Sequence, residues 1–348
     1  MGATAWKTVR SLLKQTSRSF YLTLRVLPWR VRTQIGVAYL LARTTDTIAD
    51  TDLVPLDQRL QGLKDLRERI IGLRKTPVDF GELAKQQGVE AERTLLEKTE
   101  VSVTLLRTLD DADLELVLKV LNLITTGQEM DLHRFAGGKP QRVASLHVES
   151  ELDEYTWLVA GCVGEFWTKL CRRHVFPRAQ LDDAQLLADA ARFGKGLQLV
   201  NILRDLAADL RLGRCYLPDQ ELFKVTSLLP ADLLDPANAE KFRPLYHRYL
   251  DLAETYLAAG WNYTNNLPWR CIRVRLACAW PILIGVQTLA RLRTANPLDA
   301  SQKVKLPRAN VRGILWRSVL RYPFPAAWRD LAPLPANLAA RNGNKVSK

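Results

Sequence analysis

The sequence predicts an all-α fold: one domain, a helical bundle around a central cavity. Three observations lead there. Alternating Val/Ile/Thr stretches joined by tight turns are nearly absent, and the Asn342-Gly343 pair sits in a polar tail with no strand pattern around it. Apolar residues recur at helical spacing along most of the chain. Two of the helical segments carry a stripe of polar side chains through apolar surroundings, and such a stripe belongs against a cavity.

In chain order, helices are expected at about residues 5–26, 30–50, 57–75, 92–107, 111–133, 148–173, 179–210, 238–264, 270–293 and 308–320. Breakers separate them. Pro28 divides the first two, and Gly137-Gly138-Lys139-Pro140 marks an exposed loop. Gly213 and Pro218 stop the long seventh helix. Pro230, Pro236 and Pro268 divide the later segments. No fixed-period repeat or linker appears, so a single domain is expected over residues 1–348. Its core spans about residues 10–295, with a tail from about residue 321.

With 47% apolar and 25% charged residues, the 348-residue chain has the profile of a water-soluble globular protein. Its net charge of +13 and pI of 9.7 suit an anionic partner: nucleic acid, a membrane surface or a small anionic substrate. Plain solubility explains the charge as well. The basic residues are spread along the chain without a nucleic-acid motif or stacking platform, which argues against nucleic acid. The five cysteines form no CxxC pair and read as buried thiols of a reducing compartment. The four histidines lack zinc-ligand spacing.

No apolar h-region opens the chain. The longest apolar run, Leu276 to Ala290, is broken by Pro281 and Gln287 and reads as a core helix. The expected location is therefore the cytoplasm, with at most peripheral contact on the inner membrane face. Near the C-terminus, Trp316, Arg317, Arg321, Tyr322, Phe324 and Trp328 mix aromatic and basic residues. That mixture suits a membrane interface or a segment docked on the core.

Two motifs carry chemistry. Tyr39, Arg43, Asp46 and Asp50 are spaced by four, three and four, so they share one helix face. Two carboxylates a turn apart repel and need a cation; Mg²⁺ fits, since it takes hard oxygen ligands and leaves positions for phosphate. A solvated acidic helix end is the plain alternative. Gln198, Asn201, Asp205 and Asp209 form a second stripe, among Leu197, Leu199, Ile202, Leu203 and Leu206. Arg204 and Arg214 add fork-shaped donors that match phosphate. Facing each other, the stripes would gather four carboxylates around metal ions in a bundle.

These segments resemble the squalene/phytoene synthase family, head-to-head prenyl transferases of the isoprenoid-synthase type. Ser17-Arg18-Ser19-Phe20, Ala38 to Asp50 and Asn201 to Pro218 carry the likeness. So do Tyr155 to Gly164, with its Val-Ala-Gly-x-Val-Gly pattern, and Gly127 to Leu132. The resemblance is closest to a bacterial squalene synthase and covers about residues 15–290.

It implies Mg²⁺ at Asp46, Asp50, Asp205 and Asp209, with Asn201 joining. Ser17, Arg18, Arg43, Arg204 and Arg214 would contact diphosphate, with Tyr39 and Gln198 lining the cavity. Tyr155 would be the catalytic tyrosine. Gly161 and Gly164 would let helices approach closely. Ala49 and Ala208 stand where some relatives carry Glu, so fewer ligands back up the four Asp.

The implied reaction is head-to-head condensation of two prenyl diphosphates, expected to be farnesyl diphosphate, by a monomer or homodimer. Squalene synthases finish with hydride from NADPH. Lys305 and Arg308 resemble their basic stretch beside the nicotinamide phosphates, with Pro307 disturbing the spacing. Phytoene or dehydrosqualene synthesis without NADPH is the alternative, and a non-catalytic assembly role a more distant one.

Overall fold

The structure, a computed structural model, describes residues 2–16 and 18–332. Among the described residues the regular structure is helical, apart from a two-residue parallel ladder between β1 (Ala144–Ser145) and β2 (Arg214–Cys215) and an isolated antiparallel bridge between Lys139 and Arg142. The chain forms two compact units. One holds the residues through Ala136 together with Phe166–Arg178; the other holds Gly137–Glu165 and the residues from Ala179 on.

The first unit contains α1 (Gly2–Thr16), α2 (Arg18–Val26), α3 (Trp29–Ala49), α4 (Leu56–Ile71), α5 (Gly81–Lys85), α6 (Glu90–Glu97), α7 (Thr99–Leu106) and α8 (Asp111–Phe135). At its centre, α3 packs against α8, α7, α4, α1 and α6. Leu40, Leu41 and Ile48 are fully buried there, each contributing ~2 kcal/mol by leaving water. Asp110 caps α8 by accepting from the Asp113 N–H at 3.0 Å.

The second unit holds α9 (Glu149–Thr156), which runs through a π-helical turn, Trp157–Gly161, into the start of α10 (Cys162–His174). Then come α11 (Asp183–Arg211), α12 (Asp219–Thr226), α13 (Ala239–Asn266), α14 (Ile272–Leu292), α15 (Arg308–Arg321) and α16 (Pro325–Arg329). The α11–α13 pair is the spine: Tyr246 on α13, fully buried, donates to the Leu203 carbonyl at 3.0 Å.

Several expected helices are divided. The segment expected at 5–26 is α1 and α2. That at 92–107 is α6 and α7, parted at Lys98. That at 148–173 is interrupted by the π-turn. The short α5, α12 and α16 were not anticipated, because segments of five to eight residues carry little periodicity. α14 continues through Pro281 and is long and apolar enough to cross a bilayer, yet 67% of its most apolar window is buried inside the protein.

The expected tail from residue 321 is corrected in part. Tyr322 and Trp328 are buried, so residues through 332 are folded onto this unit. They close on Arg275, itself only 2% exposed, whose guanidinium lies 4.7 Å from the Trp269 ring centre and 5.4 Å from that of Trp328. Arg275 also donates to the Leu267 carbonyl at 2.6 Å and the Asn265 carbonyl at 3.0 Å. The remainder of the expected tail, 333–348, lies outside the described residues.

Candidate active site

The first stripe lies on α3, whose apolar faces anchor it in the first unit. The Arg43 guanidinium donates to Asp46 and, through its other arm, to Glu92 on α6. Burial pushes the Asp46 carboxyl above the usual carboxylate range; Arg43 pulls it back, and so does the buried Gln128 amide of α8. The Asp46 side chain still keeps 42% of its surface, so this recess is open to solvent. Burial alone would lower the Arg43 pKa, but Asp46 and Glu92 together raise it. Asp50 caps α3, its N–H donating to the Asp46 carbonyl at 2.9 Å, and its side chain is exposed. Tyr39 sits half-buried one turn before Arg43. Ser17 and the Arg18 side chain lie outside the described residues.

The second stripe lies on α11 in the second unit. Arg204 folds back on its neighbour, with Nε 2.9 Å from Asp205 Oδ1 and Nη2 on the other oxygen. This fork-to-fork pair raises the Arg204 pKa. Asn201 donates to Gln198 at 3.5 Å. Asp205 and Asp209 are half-exposed between the buried Leu203, Leu206 and Leu210.

The next strand places Arg214. Gly213 has φ of +78°, a left-handed turn that an ordinary side chain resists, and a Cβ there would meet the Lys139 nitrogen at 2.1 Å. The chain can therefore reverse after α11 and set β2 beside β1, where the Ala144 N–H donates to the Gly213 carbonyl.

Tyr155, on the last turn of α9, stacks on Tyr216 with ring centres 5.0 Å apart. The π-turn follows at once; such turns insert one residue and re-aim the side chains around them. Gly161 and Gly164 meet α11 as expected: a Cβ on Gly161 would lie 3.3 Å from the Ala191 carbonyl, and one on Gly164 would overlap that of Ala190.

Sequence reading missed Glu92, Gln128 and Tyr216. Gln128 lies in the Gly127–Leu132 segment and could have been drawn from it. Tyr216 likewise lies in the Asn201–Pro218 stretch, but Glu92 had no signal of its own, since tertiary packing brings it in.

A third cluster is not part of either stripe. Asp110, Asp113 and His174 have ligand atoms within 4.8 Å of one another. Arg173 already pairs with both carboxylates, at 2.9 and 3.1 Å, and Gln34 donates to Asp113 at 2.8 Å. Protein donors thus take the place that a metal would need.

The family profile described as squalene/phytoene synthase matches residues 13–310. The chain belongs to the squalene/phytoene synthase family. Its members are prenyl transferases. A squalene synthase of Schizosaccharomyces pombe is 27% identical over 88% of this chain and 64% of its own length. A presqualene diphosphate synthase of Rhodopseudomonas palustris is 30% identical over 73% and 77%. A bifunctional lycopene cyclase/phytoene synthase of Blakeslea trispora is 28% identical over 86% and 48%. The chain thus spans between about half and two thirds of the first and third of these relatives. In fold, it is similar to a ligand complex of TcSQS, with a TM-score of 0.77 at 22% identity over 99% of this chain and 94% of the other. A dehydrosqualene synthase complex gives 0.63 at 20% identity over 92% and 97%.

On each stripe taken by itself, the donors suit Mg²⁺. Asp46, Asp50, Asp205, Asp209 and Asn201 offer hard oxygen atoms, and all five side chains reach solvent at least in part. Lys305 and Arg308 are both exposed, in the loop before α15 and at its first residue. As free-standing cations they suit a phosphate.

Proposed function

We propose that this chain is a squalene synthase, joining two farnesyl diphosphates head to head through a cyclopropyl (presqualene) diphosphate and reducing that intermediate to squalene. The observation that carries this is the pairing of guanidinium and carboxylate on both motif helices, Arg43 with Asp46 and Arg204 with Asp205. Each pair places a diphosphate-binding cation beside an oxygen ligand for a hard metal.

When bound, Mg²⁺ draws electron density from the diphosphate and makes it a better leaving group. Asp46, Asp50, Asp205 and Asp209, with Asn201, would hold it. Arg43, Arg204 and Arg214, with Ser17 and Arg18, would orient the diphosphate and balance its charge as the C–O bond breaks with the electron pair leaving on oxygen. The second substrate's double bond supplies the pair for the new C–C bond. Tyr155, its ring fixed by Tyr216, is the candidate to assist ionisation or take the proton lost on ring closure. Tyr39 and Gln198 would line the substrate cavity. NADPH, when bound, supplies hydride for the last step, with Lys305 and Arg308 as candidate phosphate contacts. In this reading residues of about 10–295 act as one catalytic domain.

A second reading, phytoene or dehydrosqualene synthesis without NADPH, is supported by the Blakeslea relative, whose identity differs little from that of the yeast squalene synthase.

The proposal extends to location: a cytoplasmic chain, monomer or homodimer, in peripheral contact with an anionic bilayer through α15. Trp316 and Leu320, one turn apart, are 67% and 65% exposed, as is Phe324 just beyond. Arg308, Arg312, Arg317 and Arg321 are exposed on the same helix, which carries no acidic residue. An apolar strip edged by arginines matches the headgroup boundary of an anionic bilayer.

The deciding experiment incubates the protein with farnesyl diphosphate and Mg²⁺, with and without NADPH, and identifies hydrocarbons by mass spectrometry. Squalene only with NADPH supports the proposal; dehydrosqualene in both conditions supports the second reading. With no product, geranylgeranyl diphosphate is tried next, where phytoene marks a phytoene synthase. Silence with both substrates sinks the enzyme assignment.

A further inference from the structure

Arg43 has two carboxylate partners from different helices, Asp46 on its own α3 and Glu92 on α6. All three side chains are partly open to solvent, at 27%, 42% and 25% for Arg43, Asp46 and Glu92. The pairs therefore sit where a ligand could reach and replace them. Resting on the proposed function, Asp46 has to turn to a metal and Arg43 to a diphosphate. In the structure each is instead bound to the other.

We propose that Glu92 is a positioning residue that shares Arg43 with Asp46, and so sets how readily the site takes metal before diphosphate arrives. Two effects of Glu92 act in the same direction on a cation. It draws part of the guanidinium away from Asp46, leaving that carboxylate freer to coordinate. It also adds a negative charge beside the site. On a free diphosphate its effect is the reverse: it occupies one arm of Arg43 and repels the anion. Once metal holds Asp46, Glu92 remains as the counter-charge that keeps Arg43 extended from α3 toward α6, with its other arm free for a phosphate oxygen.

The consequence is a pair of opposite changes in one variant. In Glu92→Gln, Arg43 falls wholly to Asp46. Mg²⁺ alone should bind about two- to fivefold more weakly, and inorganic pyrophosphate alone more tightly by a similar factor, in line with one partly exposed ion pair. A packing role for Glu92 would move both ligands the same way or neither.

The experiment titrates full-length parent, Glu92→Gln, Glu92→Asp and Glu97→Gln with Mg²⁺ alone and with pyrophosphate alone by calorimetry, with circular dichroism to confirm folding. Glu97 is an exposed residue at the end of α6, so its variant carries the same charge change away from Arg43. Opposite shifts in Glu92→Gln, restored at least in part in Glu92→Asp and absent in Glu97→Gln, are expected. Shifts of the same sign, no shift, or equal shifts in Glu97→Gln overturn the proposal. An Asp46→Asn arm separates the two levels. If it abolishes Mg²⁺ binding while Glu92→Gln changes nothing, only the role of Glu92 falls. If Mg²⁺ binding survives Asp46→Asn, or the parent binds neither ligand, the proposed metal site falls with it.

Discussion

A Cβ placed on Gly164 would fall 2.0 Å from the carbonyl oxygen of Ala190. The contact has a counterpart one turn away, where a Cβ on Gly194 would fall 2.1 Å from the Ala160 carbonyl. Backbone meets backbone at both points, so neither side can give way by turning a side chain. Gly164→Ala should therefore cost about 3 kcal/mol or more, lowering Tm by several degrees. Gly137→Ala, with open space around the added methyl, should leave the melting curve in place. Equal melting of the two variants would mean that α10 and α11 are not locked as described.

Asp205 shows the opposite balance of function and stability. It is half-exposed and its charge partner is a neighbouring, exposed arginine, so Asp205→Asn should leave Tm within a degree or two. Product formation from farnesyl diphosphate should fall on the order of 10²-fold or more, as when a group that steadies developing charge is removed. Parallel loss of Tm and activity would instead mark Asp205 as structural.

Glu100 accepts two arms of Arg69, at 3.1 and 2.8 Å, along with the Val78 N–H at 3.3 Å. The Arg69 hydrogen bonds, foremost, hold its carboxyl below the usual range against a smaller effect of burial. A lowered folded-state pKa means stability that is present above the unfolded value and lost as pH falls through the folded one. Glu100→Gln should thus cost ~1 kcal/mol at neutral pH, and the gap from the parent should close as pH falls below about 4. Urea unfolding at pH 7 and pH 3 measures both; a gap that persists at pH 3 would show that charge is not its source.

Arg275 is a buried cation held by carbonyls and aromatic faces, and burial lowers its pKa. Removing it leaves the carbonyls of Asn265 and Leu267 without this donor and opens the packing around Trp328. Arg275→Ala should cost about 3 kcal/mol, and Arg275→Lys should recover little, because an ammonium cannot serve both carbonyls, give the second arm's hydrogen bond to the Asn265 side chain and lie flat against rings. Limited proteolysis should then cut first near α16. Full recovery by lysine would show that charge alone matters.

The strip on α15 can be tested with vesicles. Parent protein should sediment with phosphatidylserine-containing vesicles and less with purely zwitterionic ones, and high salt should release it. Trp316→Ser with Leu320→Ser should abolish sedimentation without shifting Tm, since both side chains face water. A change of oligomeric state in that variant, with vesicle binding intact, would identify the strip as a contact between copies of the chain.

Much of this protein is determined by its sequence taken alone. The all-helical class, the long helices around Arg43 and Asn201 and the two acidic stripes follow from spacing, because a stripe at three and four residues is a local property of one helix. Family membership follows from the same stretches. The tertiary structure decided what local spacing cannot express. It brought Glu92 to Arg43 across 49 positions of sequence and stacked Tyr216, which follows α11, on Tyr155, which precedes it. It also split one aromatic and basic segment in two, with Tyr322 and Trp328 buried on Arg275 while Trp316 and Leu320 stayed in water. Partners distant in the chain leave no periodicity, and an aromatic residue reads the same in sequence whether its ring packs on a core or faces solvent.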